Sequence, residues 1–366
     1  MKQTILIMGG YGGVGKSLSR ALLSHTAFDL IIAGRQLKKA EAWVAQLQSA
    51  FPGRRIVASQ TDLADKANLV EVFRQASLVV VVATVADDME IVAEAAIAAQ
   101  TGLMDILLRA DVAETLSRYQ QKIAENGLRF ITQAGFHPGI VAPLMRSVRG
   151  EFDEYHSAVV GMAMDPIFRN PKSTHELFHE ILAAKPMILR SGKWKTGSYR
   201  DLAIVNFSKY FSPRKCFPLN LPEIYGIEKT TGLKNAGVYV AGFDFWIDWV
   251  IFPLAITVGF FSQKWSKVIG GKMLFAHIQK KRDQRPRVEM VLEASGLKDE
   301  KEKKLTRTLY AEDGFDLTAY AVVACIRQYF KGIPPKPGLY LMGQVVEENQ
   351  LLEDLQEMGI GLEERQ

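Results

Sequence analysis

The chain has 366 residues, 48% hydrophobic and 23% charged, the balance of a folded globular protein long enough for two or three domains. An excess of five positive charges is too mild to imply a nucleic-acid partner, and no Lys/Arg stripe interleaves with stacking aromatics; anionic small molecules or a negative membrane surface stay compatible. Two distant cysteines, Cys216 and Cys325, argue against a disulfide framework and fit a reducing, cytoplasmic setting.

The N-terminal third alternates strand and helix. Thr4 to Met8 reads as a strand that runs straight into glycines, so no targeting segment is expected ahead of it. A helix over Lys16 to Leu23 follows, then a strand at Leu30 to Ala33, a helix at Lys38 to Gln48 and a strand at Ile56 to Ser59. Leu78 to Thr84 (LVVVVAT) is an apolar run suited to a strand buried on both faces. A helix at Glu90 to Gln100 and strands at Leu103 to Ile106 and Arg129 to Gln133 complete an α/β pattern, a Rossmann-type doubly wound parallel sheet. After Pro143 the spacing becomes irregular and aromatic-rich, as in an inserted α+β domain. Helices return at Leu317 to Phe330 and, after the turn-rich GIPPKPG, at Val346 to Met358. The expected domains are 1–139 for dinucleotide binding, 140–315 for substrate and dimer contacts, and 316–366 packing back on the first. The charge run KDEKEKK (298 to 304) reads as a solvated loop or helix edge.

The stretch GGYGGVGKS (9 to 17) fits two patterns. As Gly10-x-x-x-x-Gly15-Lys16-Ser17 it is a phosphate loop; as Gly10-x-Gly12-x-x-Gly15 it is a dinucleotide fingerprint. The end of the second strand decides between them. About 20 residues past the glycines, where an acid would bind the ribose 2′-hydroxyl of NAD, the chain carries Gly34-Arg35. An arginine there suits the 2′-phosphate of NADP, and Lys38 and Lys39 add positive charge. A triphosphatase also needs a carboxylate closing a hydrophobic strand to hold magnesium; LVVVVAT ends in Thr84, Asp87 follows only after a turn, and Met104-Asp105 is a poorer candidate. Gly10, Tyr11, Gly12, Gly13 and Val14 are therefore expected to cradle the pyrophosphate, and Arg35 and Gln36 to read the 2′-phosphate. Asp62 and Leu63, after the third strand, are expected beside the adenine, with Asp62 also able to cap the helix from Ala64. Ala83, Thr84 and Val85 fall on the edge where pyrophosphate and nicotinamide ribose lie.

GGYGGVGKSLSRALL, IIAGRQLKKAE, TDLAD and QAGFHPGIVAPLM (133 to 145) together resemble the saccharopine dehydrogenase-like oxidoreductases, which include saccharopine reductases and trans-acting enoyl reductases. The segments LTAYAVVACIRQYFKG and PGLYLMGQVVEENQLLEDLQEMGI are similar to that family's closing region. The likeness covers about 135 N-terminal and about 50 C-terminal residues, with the middle only loosely similar. It implies NADP(H)-dependent hydride transfer at a C=N or C=C bond, with the Gly-Phe-His-Pro-Gly turn beside the nicotinamide. Position 137 often carries an acid or another polar residue in this family; His137 departs from that, and is the candidate for proton delivery or substrate orientation.

Two features compete. His175-Glu176-Leu177-Phe178-His179 matches the H-E-x-x-H zinc-protease pattern, but no third ligand follows it, and no metal is expected. In GFDFWIDWVIFPLAITVGFFSQKW (242 to 265) the charge-free part, Trp249 to Gln263, is 15 residues long and interrupted by Pro253 and Gly259. That is short of a bilayer span. It reads as a core helix, a substrate-tunnel wall or an interfacial segment, and the last two favour a lipophilic substrate or a peripheral membrane contact. The alternative of another class is a non-catalytic NADP-binding protein docked on a membrane.

Overall fold

The computed structural model describes residues 3–165, 185–198, 200–242, 246–251, 254, 257–258, 262–279 and 286–366. The chain divides into two units, Met1–Pro143 with Phe315–Met358, and Leu144–Gly314 with Gly359–Gln366. The H-E-x-x-H motif at 175–179 lies outside the described residues.

The first unit is built on runs of β-branched and apolar residues too short for helices. They form β1 (Thr4–Met8), β2 (Asp29–Gly34), β3 (Ile56–Gln60), β4 (Leu78–Val81), β5 (Gly102–Asp105) and β6 (Arg129–Thr132), joined by Gly338–Leu341. All pairings are parallel, in the order Gly338–Leu341, β6, β5, β4, β1, β2, β3. Ile5, Leu6 and Ile7 of β1 and all four residues of β4 are fully buried, because helices cover both faces. LVVVVAT is shorter as a strand than its composition suggests; pairing stops at Val81, and Val82 donates to Met8 O as the chain leaves the sheet. The helix Gly314–Phe330 returns the chain to this unit, and Arg327 ties the C-terminal helix down through Asp354 (2.8 Å), Glu357 (2.9 Å) and His25 O (2.9 Å).

Two helices matter for the site. The helix α1 (Gly13–His25) follows β1 directly, and α2 (Leu37–Ala50) follows β2. Trp43 of α2 donates its indole N–H to Ser19 Oγ of α1 at 3.0 Å, a bond buried between them.

The second unit carries a mixed sheet with nine strands among the described residues. Its centre is β7 (Glu154–Met164), parallel to Asn235–Ala241 on one side and antiparallel to Val288–Lys298 on the other. The charged run at 298–304 is a correction to the sequence reading. Val288–Lys298 and Lys301–Ala311 form a hairpin whose turn is Asp299 (φ 49°) and Glu300 (φ 60°), so the charges decorate its tip and one strand rather than a loop or helix edge. The tail also departs from expectation. Gly359 (φ 97°) turns the chain, and Gly361–Arg365 pairs with Lys301–Ala311 in the second unit, so only residues to Met358 join the first.

Glu289 is fully buried in this sheet and accepts backbone N–H bonds from Ser208 (2.7 Å), Lys209 (3.1 Å), Tyr210 (3.0 Å) and Phe211 (3.3 Å). One carboxylate thus satisfies four consecutive main-chain donors. Glu289→Gln, which turns an NH₂ toward those donors, is expected to cost about 2–3 kcal/mol of unfolding free energy by urea titration. Unchanged stability would show that the loop does not depend on the charge.

Candidate functional site

The strand order reverses beside β1, whose neighbours are β4 on one side and β2 on the other. Ligands of open parallel sheets bind outside the carboxyl ends of the strands at such a point. The glycine loop sits there. Gly9 (φ 89°) turns out of β1, and the N–H groups of Gly9 and Gly10 both donate to Ala33 O, at 2.8 and 3.3 Å. A Cβ on Gly9 would lie 2.9 Å from Ala83, and one on Gly15 only 2.4 Å from Gly9 O. The loop is therefore wedged between the ends of β2 and β4, with no space for a side chain at Gly9 or Gly15.

The first turn of α1 begins at Gly13 after Gly12, which offers no side-chain cap. Gly12 and Gly13 are exposed. The leading N–H groups of α1 thus start from an exposed, uncapped turn at the positive end of the helix dipole, and the pyrophosphate of a dinucleotide fits it. Arg35, Gln36, Lys38 and Lys39 are all exposed just past β2, and the Arg35 guanidinium has no acidic partner among the described residues. Tyr11 lies against this strand end, its hydroxyl accepting the Gln36 N–H at 3.1 Å.

The parts of a triphosphatase are placed differently. Lys16 Nζ lies 4.9 Å from the Trp43 ring centroid, Asp87 is bound by Arg109 at 2.5 Å, and Asp105 is fully buried. Asp62 is exposed after β3 and accepts from Ala64 N (3.1 Å), but the helix cap is Asp65, which accepts from Asn68 N (2.9 Å) ahead of Lys66–Phe73. The cap reading of Asp62 was therefore three residues early. Leu63 packs on the core, and Ala83, Thr84 and Val85 follow β4 next to the glycine loop.

His137 stands in the turn after β6. Gly135 N donates to Pro138 O (3.0 Å), and a Cβ on Gly139 (φ 134°) would be 2.2 Å from Gly135 O, so the turn needs its second glycine. The imidazole stacks on Phe136 at 5.4 Å and is half-buried. Loss of solvent pushes its pKa down to about 4, so the ring is neutral near pH 7.

Sequence reasoning considered Asp105 only as a magnesium ligand and did not connect it to this turn. Asp105, Thr132 and Gln133 are buried at the ends of β5 and β6. Asp105 O accepts from Ala134 N (2.7 Å), and its Oδ1 accepts from Leu107 N (3.0 Å) and Gln133 N (3.5 Å). Its Oδ2, Thr132 Oγ1 and Gln133 Oε1 have no hydrogen-bond partner. Burial pushes the Asp105 carboxyl up to about 6 against the opposing pull of the Leu107 and Gln133 N–H groups. The one available signal was an acid interrupting an apolar strand.

The segment 242–265 belongs to the second unit. In 242–265, Trp246 (59% exposed) and Leu254 (43%) are open while Ile247 and Ile251 are buried; the side chains of Trp249, Phe252 and Trp265 lie outside the described residues. Among the described residues no helix is long and apolar enough to cross a membrane, and no cluster of three or more His, Cys, Asp or Glu could hold a metal.

Residues 5–131 match the family model of the saccharopine dehydrogenase NADP binding domain. Apo saccharopine dehydrogenase (L-Glu forming) from Saccharomyces cerevisiae shares the fold, with a TM-score of 0.74 at 14% identity over 99% of both chains. The C. glutamicum DAP dehydrogenase in complex with DAP aligns over 97% of this chain and 98% of its own, at 11% identity and a TM-score of 0.50. A 71-residue stretch is 39% identical to a highly reducing polyketide synthase of Aspergillus terreus, covering 19% of this chain and 3% of that protein. Residues 5–131 thus carry a saccharopine dehydrogenase-type NADP binding domain, and the chain shares the fold of saccharopine dehydrogenase.

Proposed function

We propose that the protein is an NADP(H)-dependent reductase or dehydrogenase acting at a C=N or C=C bond of a substrate with a lipophilic part. The observation that carries the cofactor half is the exposed, acid-free Arg35 at the end of β2, beside the uncapped first turn of α1. Gly10, Tyr11, Gly12, Gly13 and Val14 form the turn that takes the pyrophosphate, which meets the first-turn N–H groups of Gly13 and Val14 because those of Gly10 and Gly12 already donate to Ala33 O and Gly9 O; Arg35 and Gln36 take the adenosine 2′-phosphate. Asp62 and Leu63 border the adenine, and Ala83, Thr84 and Val85 line the path to the nicotinamide. When bound, NADP(H) supplies hydride chemistry. The exposed Trp246 and Leu254 support a lipophilic substrate held by the second unit, which we also assign to dimer contacts. A membrane surface is the other apolar partner that 242–265 would suit.

His137 orients the substrate as a neutral imidazole, able to donate one hydrogen bond and accept another. A ring with its pKa near 4 carries little imidazolium near neutral pH, so a full proton at each turnover comes from elsewhere.

Replacing Arg35 by Asp is expected to weaken NADPH binding more than about tenfold, since a charge-assisted bond to phosphate contributes roughly 1.5–3 kcal/mol. Titration calorimetry of wild type and variant measures this, and equal wild-type affinity for NADPH and NADH would contradict the assignment. For the substrate, NADPH oxidation should be faster with long-chain than short-chain members of a panel of imines and enoyl thioesters. A preference for small polar imines would assign 242–265 to the core instead.

Buried Asp105 and half-buried His137 give opposite pH dependences. Folded Asp105 keeps its proton up to about 6, whereas an unfolded aspartate loses it near 3.8, so stability falls as pH rises through that window, by roughly 3 kcal/mol. His137 stays neutral down to about 4 while the unfolded ring takes up a proton below 6.5, so its contribution falls as pH drops. Asp105→Asn should therefore make stability rise more steeply with pH than in the wild type between about pH 4 and about pH 6, and His137→Gln should tilt it the other way. Parallel denaturation profiles in all three proteins would overturn the burial of both groups.

A further inference from the structure

Tyr11 has a role that the glycine fingerprint does not require. It occupies the gap between Gly10 and Gly12, and its ring lies across the end of β2. A Cβ built on Gly34 would come within 2.6 Å of Tyr11 Cε1, 2.7 Å of Oη and 2.8 Å of Cζ. Gly34 is the last residue of β2, and its φ is outside the left-handed region, so its lack of a side chain is not demanded by the backbone. What leaves no room there is Tyr11. The same ring's hydroxyl accepts the Gln36 N–H at 3.1 Å, which anchors the backbone on the far side of Arg35.

In NAD-binding folds, an acid near the end of this strand reaches the ribose 2′-hydroxyl. Here the first volume such a side chain would enter is filled by an aromatic ring, and the next residue is an exposed arginine without an acidic partner among the described residues. We propose that Tyr11 is a specificity-determining residue for the 2′-phosphate, an inference that rests on the NADP(H) reading above. Its ring takes the place of an NAD-selecting acid. Its hydroxyl holds residues 35–36 in the form that offers Arg35 to the phosphate.

The contact at Gly34 is made by the far end of a side chain, so a methyl group there moves the ring rather than breaking the strand. Gly34→Ala and Tyr11→Ala therefore remove the same interaction from opposite sides, and their effects should not add. The test is calorimetric titration of wild type, Tyr11→Phe, Tyr11→Ala, Gly34→Ala and the double variant with NADPH, NADH and 2′,5′-ADP, with thermal melts to confirm folding. Tyr11→Phe should lower the NADPH/NADH affinity ratio about fivefold, the size of one neutral hydrogen bond. Tyr11→Ala and Gly34→Ala should each lower it on the order of tenfold, with a matching loss for 2′,5′-ADP and no further loss in the double variant. A wild type without preference for NADPH overturns the NADP(H) reading, and this inference with it. A selective wild type whose folded variants keep the same ratio overturns the role of Tyr11 alone. If Tyr11→Ala does not fold, Tyr11→Phe and Gly34→Ala decide the matter.

Discussion

The nucleotide-binding end of this protein depends on one close approach, between the carbonyl of Gly9 and the backbone of Gly15. A side chain at 15 would put its Cβ 2.4 Å from that oxygen, nearer than any real contact allows. Because the two can touch, α1 starts immediately beyond β1 and aims its unsatisfied N–H groups over the strand ends. Because the turn is pinned to Ala33 O and crowded by Ala83, the cradle is held by both neighbouring strands. Loosening it would move the end of β2 and the β4 exit relative to α1.

The other half of the cleft shows a different economy. Asp105 holds β5 to the chain leaving β6 with its carbonyl and one carboxylate oxygen, four residues or fewer before His137. Its second oxygen is left without a partner, beside two further orphaned groups. Such groups are costly in a core and persist where the surrounding structure over-determines them. Their place under the Gly135–Gly139 turn links that cost to the positioning of the imidazole.

Legibility in the sequence followed how local each signal was. The parallel sheet was readable because a strand buried on both faces must be apolar throughout, as β1 and β4 are. The glycine loop was readable because close approach leaves glycine little alternative. The second unit was not, since its strands are half-exposed and its pairings join distant segments, as in β7 with Asn235–Ala241. The hairpin turn at Asp299-Glu300 carries neither Gly nor Asn, so its composition suggested solvent rather than a turn. Asp105 looked like a weak magnesium ligand; only its burial shows what it does. Tyr11 read as one more loop residue, because nothing in a linear pattern tells that its ring meets Gly34.

The central claim is that the crevice at β1 holds a dinucleotide whose 2′-phosphate meets Arg35. A crystal structure of the protein with NADPH tests it most directly. The account predicts pyrophosphate on the N–H groups of Gly13 and Val14 and the 2′-phosphate within hydrogen-bond reach of the Arg35 guanidinium. Cofactor bound elsewhere, or bound here with its 2′-phosphate turned away from Arg35, would contradict it.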